Sequence, residues 1–246
     1  MSYLFDLHVH TYESSRCGQV PASDMIRRYH QLGYAGVVIT DHITKRYVDG
    51  KCVNSGATSW QEKVEKLQLG YNDAKKTGEE LGMTVLFGWE FTNISYHTIS
   101  GIDLVTLGLD ADFLLNNPQI DTMEGDEYID LVQSAGGLVN YAHPYRHMPP
   151  NFVPPHTNTI AVEVLNACHH TAKYPGDFDT PALAFAKEHG KIQLAGCDAH
   201  RLHEVDGTGV LFNSRPTDNN RLLTAILQGD YKLMLQGKEW DSTGKK

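Results

Sequence analysis

Histidine and carboxylate residues recur along this 246-residue chain in short stretches that could hold metal ions. His8 and His10 stand two apart in Tyr3-Leu4-Phe5-Asp6-Leu7-His8-Val9-His10-Thr11, where apolar residues at 3, 5, 7 and 9 alternate with Asp6, His8 and His10. That alternation predicts a strand, and residues two apart on a strand point to the same face. Two imidazoles so placed can grip one cation, although an isolated pair would equally serve as a solvated polar face. Further along come Asp41-His42, Glu90 after Phe87-Gly88-Trp89, and Asp103 near the start of the run Ile102 to Leu107. His143 follows in Tyr141-Ala142-His143-Pro144, then Asp198 and His200 in Gly196-Cys197-Asp198-Ala199-His200. Mixed imidazole and carboxylate ligands suit Zn, Mn or Fe. Paired cations ~3.5–4 Å apart lower the pKa of a shared water and stabilise both oxygens of an in-line displacement. A carboxylate such as Glu90 can bridge such a pair, and Asp6 and Asp41 are placed to orient ligand imidazoles or to cap strand ends.

These residues need a scaffold that gathers them. After the first strand, Pro21-Ala22-Ser23-Asp24 opens a helical pattern that stops at Gly33, and Gly36 to Thr40 reads as a strand buried on both faces. A long helix is predicted over 60–81, with Val64, Leu67, Tyr71 and Ala74 on one stripe and Gly82 as its stop. Strands follow at 83–88, 102–107, 137–141, 160–165 and 191–195, with helices near 123–135, 179–188 and 218–227. Seven strands alternating with helices predict an α/β fold with a mainly parallel sheet, closed as a (β/α) barrel. In such a barrel the C-terminal ends of the strands share one mouth, and the stretches above would deliver their ligands there. Residues 1–236 are expected to form a single domain, with 237–246 as a polar tail. His30 and His189 fall on helices and are expected at the surface.

A formal net charge of −9 excludes a broad basic surface for nucleic acid or anionic membranes. The four cysteines, at 17, 52, 168 and 197, form no C-x-x-C pair, which argues against a disulfide framework or zinc ribbon and for a reducing cytoplasm. Cys17 and Cys197 are expected to be small buried fillers. No signal-peptide pattern opens the chain, and no apolar run approaches the ~20 residues that cross a bilayer. A cytoplasmic protein is expected.

Asp-Leu-His8-Val-His10-Thr, Thr40-Asp41-His42, Gly88-Trp-Glu90, Ala142-His143-Pro144 and Asp198-Ala-His200 resemble, in order, the motifs of the polymerase-and-histidinol-phosphatase (PHP) family. The resemblance implies a distorted seven-stranded TIM-like barrel whose two or three divalent metal ions (Zn, Mn or Fe) sit at the C-terminal strand ends. It implies hydrolysis of a phosphate ester, with Glu90, His143 and Asp198 as the catalytic residues. Carried over by motif, His8, His10, Glu90 and Asp198 would hold the first ion. Glu90 would bridge to a second, completed by His143 and a strand-four residue, while His42 and His200 would hold a third. The strand-four position falls on Asp103, with His97 as competitor, where relatives commonly have His. Relatives also often supply Asp or His to the third ion shortly after the first motif. Here Glu13, Ser15 and Arg16 stand there, so the third site is expected to be weak or empty.

A phosphate dianion would be repelled by an acidic protein unless cations invert the local field. Arg16, Arg146 and Arg201 each lie close to a motif and could grip phosphate bidentately. Asn166, at the end of the sixth strand, is a further candidate for substrate contact. The loops 43–59, 144–158 and 167–178, the last with His169, His170 and Tyr174, would wall the mouth. The expected substrate is a small phosphorylated molecule, with histidinol phosphate, a nucleotide or a short oligonucleotide as candidates. Two other classes stay open, a metal module that serves a partner protein and a metal hydrolase of the amidohydrolase kind. Neither the particular substrate nor the oligomeric state is legible in the sequence.

Overall fold

Side-chain patterning and end signals account for where the elements begin and stop. The computed structural model describes residues 2–44, 57–93, 102–123, 125–146 and 158–240. Its strands are β1 (Tyr3–Val9), β2 (Gly36–Ile39), β3 (His42–Thr44), β4 (Thr84–Phe87), β5 (Trp89–Asn93), β6 (Ile102–Leu107), β7 (Leu138–Tyr141), β8 (Ala161–Asn166), β9 (Ile192–Gly196), β10 (Gly209–Phe212), β11 (Tyr231–Leu235) and β12 (Lys238–Glu239). The α-helices are α1 (Ala22–Gln31), α2 (Trp60–Leu81), α3 (Ala111–Asn116), α4 (Gly125–Ser134), α5 (Asp179–Glu188) and α6 (Asn219–Gln228). The Ser59 hydroxyl accepts from the Glu62 amide to open α2, and Gly82 closes it at φ 69°, a left-handed conformation that suits glycine. Val64, Leu67 and Ala74 are buried along that helix. His30 and His189 are exposed, as expected.

The strands form two six-stranded sheets, ordered β12-β11-β10-β1-β2-β4 and β3-β5-β6-β7-β8-β9. The chain passes from one sheet to the other at Thr40-Asp41 and at Gly88. A Cβ at Gly88 would lie 2.7 Å from the Thr106 carbonyl, so only glycine lets the backbone cross there. The expected closed, mainly parallel seven-stranded barrel is therefore corrected in two respects. First, the pairing is mixed: β1–β2, β2–β4, β3–β5, β7–β8 and β8–β9 are parallel, whereas β5–β6 and β6–β7 are antiparallel. β10, β11 and β12, which the apolar pattern missed, add antiparallel strands beside β1. Only residues 94–101 separate β5 from β6, too few for the crossover a parallel partner needs, so β6 must run back.

Second, no continuous ladder closes the ring among the described residues. β1 and β9 meet at a single bridge, Val9–Ala199, extended by His10 N–H donating to the Ala199 carbonyl at 3.1 Å. Where further rungs would form, the Asp6 carboxylate accepts from the amides of Cys197 (3.0 Å) and His8 (3.0 Å) and from the Tyr29 hydroxyl (2.6 Å). A side chain thus replaces backbone pairing along the seam. Burial, which these three hydrogen bonds only partly offset, pushes Asp6 up to about 6. The expected polar tail is folded in as far as Trp240, whose amide donates to the Leu233 carbonyl beyond β12; residues 241–246 lie outside those described. Among the described residues no helix is long and apolar enough to cross a membrane.

Candidate metal centre

Strand ends deliver the ligand-type residues to one place. His8 lies near the end of β1 and His10 just beyond it; His42 opens β3, Glu90 lies in β5, His143 follows β7, and Asp198 and His200 follow β9. Asp103 lies near the start of β6, the wrong end for an all-parallel barrel. Because β6 runs backwards, with Thr92 opposite Asp103, its start lies at the same rim as the other strand ends. His97, the competitor for that role, falls outside the described residues.

Glu90 is the hub. Its Oε1 lies 3.4 Å from His8 Nε2 and 3.5 Å from His143 Nε2, while its Oε2 lies 3.2 Å from His10 Nε2 and 3.1 Å from His42 Nδ1. Asp198 Oδ1 lies 3.1 Å from His10 Nε2 and 3.5 Å from His8 Nε2, and Asp103 Oδ2 lies 3.9 Å from His143 Nε2. His200 Nδ1 is 2.7 Å from the Asp198 carbonyl. His143 and Asp198 take positive φ values, 29° and 53°, which side-chain-bearing residues rarely adopt and which cluster at functional sites.

Buried polar atoms normally find a partner, and leaving one without costs about 1–3 kcal/mol. Here His8 Nε2, both ring nitrogens of His10, Glu90 Oε1 and Asp103 Oδ1 are buried with no hydrogen-bond partner. All are lone-pair donors or can become so, and they converge. Ligand-type sets compact enough for one ion are His8–His10–Asp198, His8–Glu90–His143, His42–Glu90–Asp103, His10–Cys17–His42–His200 and Cys168–His200–Glu204. The donor set therefore fits divalent cations.

Charges tell the same story. Burial and the adjacent Glu90 carboxylate push Asp103 up to about 8. Burial opposes the His10 imidazolium, but Asp198 and Glu90 outweigh it and hold its pKa at about 9. Burial drives His42 down to about 4 and His200 to about 3, leaving both neutral and ready to ligate. Despite burial, Glu90 is held well below the usual carboxylate range by His42 and His8, and Asp198 by Arg146 and His8. In the metal-free protein the His10 contribution to stability is full below pH 6.5 and is lost as pH rises through about 9. Asp103, which ionises near 3.8 when unfolded and about 8 when folded, also favours folding less as pH climbs. The metal-free melting temperature should thus fall between about pH 6.5 and 9, with His10 alone worth on the order of 3 kcal/mol. Added Zn²⁺ or Mn²⁺ should reverse that slope, since ligands must shed protons to bind. Thermal melts across this range with and without metal would show it, and a metal-free protein that gained stability with pH would contradict it.

Glu163 escaped the motif reading, although an acid inside the apolar run Ile160-Ala161-Val162-Glu163-Val164-Leu165 was the available signal. It is buried, its Oε1 lies 3.0 Å from His8 Nδ1, and its Oε2 accepts from the His143 amide at 3.0 Å. This carboxylate, and not Asp6 or Asp41, orients a ligand imidazole. Asp41 instead accepts from the Thr11 amide (2.7 Å) and hydroxyl (2.6 Å), tying strand ends together. Glu163→Ala should weaken metal binding by roughly 10–100-fold, the usual effect of removing a carboxylate behind a ligating histidine. Zinc titration against a competing chelator would read this, and unchanged affinity would remove Glu163 from the site.

The substrate candidates separate. Arg146 is buried, its Nη1 pairs with Asp198 Oδ2, its Nε donates to His169 Nε2 at 3.1 Å, and its guanidinium lies over the Tyr174 ring at 4.8 Å. His169 is held in turn by Asp179, 2.6 Å away. Arg146 Nη2 keeps no hydrogen-bond partner. Arg201 is paired with Glu204 at 3.0 Å, and Arg16 is exposed on the loop after β1. Asn166 is fully buried, with its amide nitrogen on Glu163 Oε2 (2.9 Å) and its oxygen accepting from the Cys168 amide (3.0 Å). It braces Glu163. Glu13, considered for the third ion, accepts from the Ala22 amide with both oxygens at 3.0 Å and so caps α1. Cys17, expected as a filler, has its sulfur within 4.8 Å of a ring nitrogen of each of His10, His42 and His200.

Residues 6–171 match the PHP domain family. No match was found among curated protein sequences. Similar solved structures include a two-domain protein of Bacteroides vulgatus containing a PHP-like metal-dependent phosphoesterase assigned by prediction (15% identity, TM-score 0.66, 97% of this chain covered). The chain spans 66% of that protein's length. A protein of Bifidobacterium adolescentis, assigned by inference as a metal-dependent phosphoesterase, aligns at 14% identity and TM-score 0.55, covering 91% of this chain and 96% of its own. An amidohydrolase of Chromobacterium violaceum with bound sulfate and no metal aligns at 16% identity and TM-score 0.59, covering 91% of this chain and 97% of its own.

Proposed function

We propose, from the premise that this chain belongs to the PHP domain family, that it is a metal-dependent hydrolase of small phosphate esters. One observation carries the reading: a single buried carboxylate, Glu90, lies within 3.1–3.5 Å of His8, His10, His42 and His143, with both of its oxygens facing imidazoles. A carboxylate so placed suits a bridge between two cations. His8, His10, Glu90 and Asp198 would hold the first ion, and Glu90, His143 and Asp103 the second. His42 and His200 would belong to a third. When bound, such ions supply an acidified water and stabilise charge on the phosphoryl oxygens.

The chain's own residues set the rest. Glu163 fixes the His8 ring and the His143 backbone, so the ligands meet a cation without reorganising. The free Nη2 of Arg146, buried and braced by Asp198, His169 and Tyr174, is a donor suited to one phosphoryl oxygen. Arg16, exposed near the mouth, could add charge from outside. The sulfate carried by the Chromobacterium violaceum structure supports anion binding on this fold. That neighbour's amidohydrolase name keeps C–N bond hydrolysis as the second reading.

A panel of phosphomonoesters, phosphodiesters and amides assayed with Mn²⁺, Zn²⁺ and Fe²⁺ tests this, with Glu90→Gln as the blank. Turnover confined to phosphoesters, dependent on added metal and absent from the blank, is expected. Turnover of amides alone would favour the second reading, and none with any metal would favour a non-catalytic module.

A further inference from the structure

Among the ligand-type residues the third position is the anomaly, because nothing on the expected stretch offers a hard oxygen ligand. Glu13 is committed to the Ala22 amide, and the Ser15 hydroxyl accepts from the His42 amide at 2.9 Å. The loop after β1 is fastened at both sides of Cys17. Ser15 ties it to His42, and the Gln19 amide donates to the His200 carbonyl at 3.0 Å. A tight turn holds the intervening residues: the Gly18 amide donates to the Ser15 carbonyl at 2.9 Å, and a Cβ at Gly18 would fall 2.4 Å from the Thr11 carbonyl oxygen. The backbone therefore holds the cysteine close to both histidines.

We propose that Cys17, His42 and His200 form a thiolate–imidazole site for a zinc-class divalent cation, chemically distinct from the carboxylate-bridged pair beside it. The Cys17 sulfur and one ring nitrogen each of His10, His42 and His200 lie within 4.8 Å of one another. At a tetrahedral zinc a sulfur at ≈ 2.3 Å and a nitrogen at ≈ 2.1 Å stand about 3.6 Å apart, so closure draws the ligand atoms together by up to about 1 Å, within reach of side-chain rotation. A second observation points to a cation there. The His10 ring is fully buried and stacks on both His42 (centroids 4.6 Å apart) and His200 (4.5 Å); its Nε2 faces Glu90 and Asp198, while its buried Nδ1 has no hydrogen-bond partner. Three protein ligands leave a fourth corner for an oxygen of solvent or substrate. Thiolate selects zinc, cobalt or iron over manganese or magnesium, which prefer oxygen. The centre would thus hold two classes of ion. This deepens the functional reading above, since His42 and His200 are common to both.

Cobalt(II) titrated into chelator-stripped protein distinguishes the two. The wild type should develop a near-ultraviolet thiolate-to-cobalt charge-transfer band together with visible ligand-field absorption. Cys168→Ala and Cys197→Ala should keep the charge-transfer band, whereas Cys17→Ala should lose it and bind about one cobalt fewer per chain. Cys17→Asp should restore the bound cobalt without the band, which separates lost ligation from lost folding. Zinc should bleach the band and manganese should not. Ligand-field absorption with no charge-transfer band in the wild type would overturn the cysteine site and leave the phosphoesterase reading intact. Loss of the band in Cys168→Ala instead of Cys17→Ala, or bleaching by manganese as readily as by zinc, would also overturn it. No cobalt binding at all would overturn both readings.

Discussion

Glu90→Gln should lower phosphoester turnover by about 10³-fold or more while leaving the fold intact. The substitution keeps size and shape but removes the one negative charge that both neighbouring cations would share. Lewis-acid stabilisation of a phosphoryl transition state is worth several kcal/mol, and each ~1.4 kcal/mol is a factor of ten in rate. Metal content should fall along with the rate, because His8, His10, His42 and His143 all face this carboxylate within 3.1–3.5 Å. Stability without metal should change much less. Asp198 still faces His8 and His10 once Glu90 is neutral and keeps a carboxylate beside the buried imidazolium. Elemental analysis and kinetics on one purified sample test the claim together. Full metal content with wild-type turnover would remove Glu90 from its central role.

Asp198→Asn should have the largest effect on folding. Asp198 pairs with Arg146 inside the protein, and both side chains are nearly inaccessible. Breaking a buried pair from one side leaves an uncompensated charge, which costs about 3–5 kcal/mol. For a chain of this size that corresponds to a melting temperature lower by about 10 °C. His8 and His10 also lose a carboxylate partner, so metal binding and turnover should fail as well. Arg146→Met in the Asp198→Asn background separates the two roles. Removing the stranded guanidinium should recover most of the melting temperature and none of the turnover. If the single variant melts like the wild type, the buried pair is not holding this rim together.

The ends of α2 were legible because they are local. Ser59 and Gly82 bound a stripe of apolar residues at helical spacing, and the helix runs over the expected 60–81. His8 and His10 share a face because strand geometry allows nothing else, and the order of the other motifs placed Glu90, His143 and Asp198 near the same rim. Asp103 was found for an incomplete reason. Its register with Leu107-Gly108 suggested it, but its reach into the centre depends on β6 running antiparallel, and an alternation of apolar segments carries no sign of direction. The added hairpin strands β10 to β12 were missed for the opposite reason, since short, half-exposed strands leave a weak apolar pattern.

By itself, then, the chain of letters determined which side chains could bind metal, in what order they come, and which neighbours share a face. These are consequences of backbone period and residue chemistry within a few positions. Only the tertiary structure decided that Glu163 holds His8 across a separation of 155 residues, that Arg146 braces Asp198, and that Cys17 comes close to His10, His42 and His200. Such partnerships arise from how sheets stack and loops are fastened. The physical reason is that a carboxylate or thiol looks the same in sequence wherever it points, while its partner is set by packing at long range.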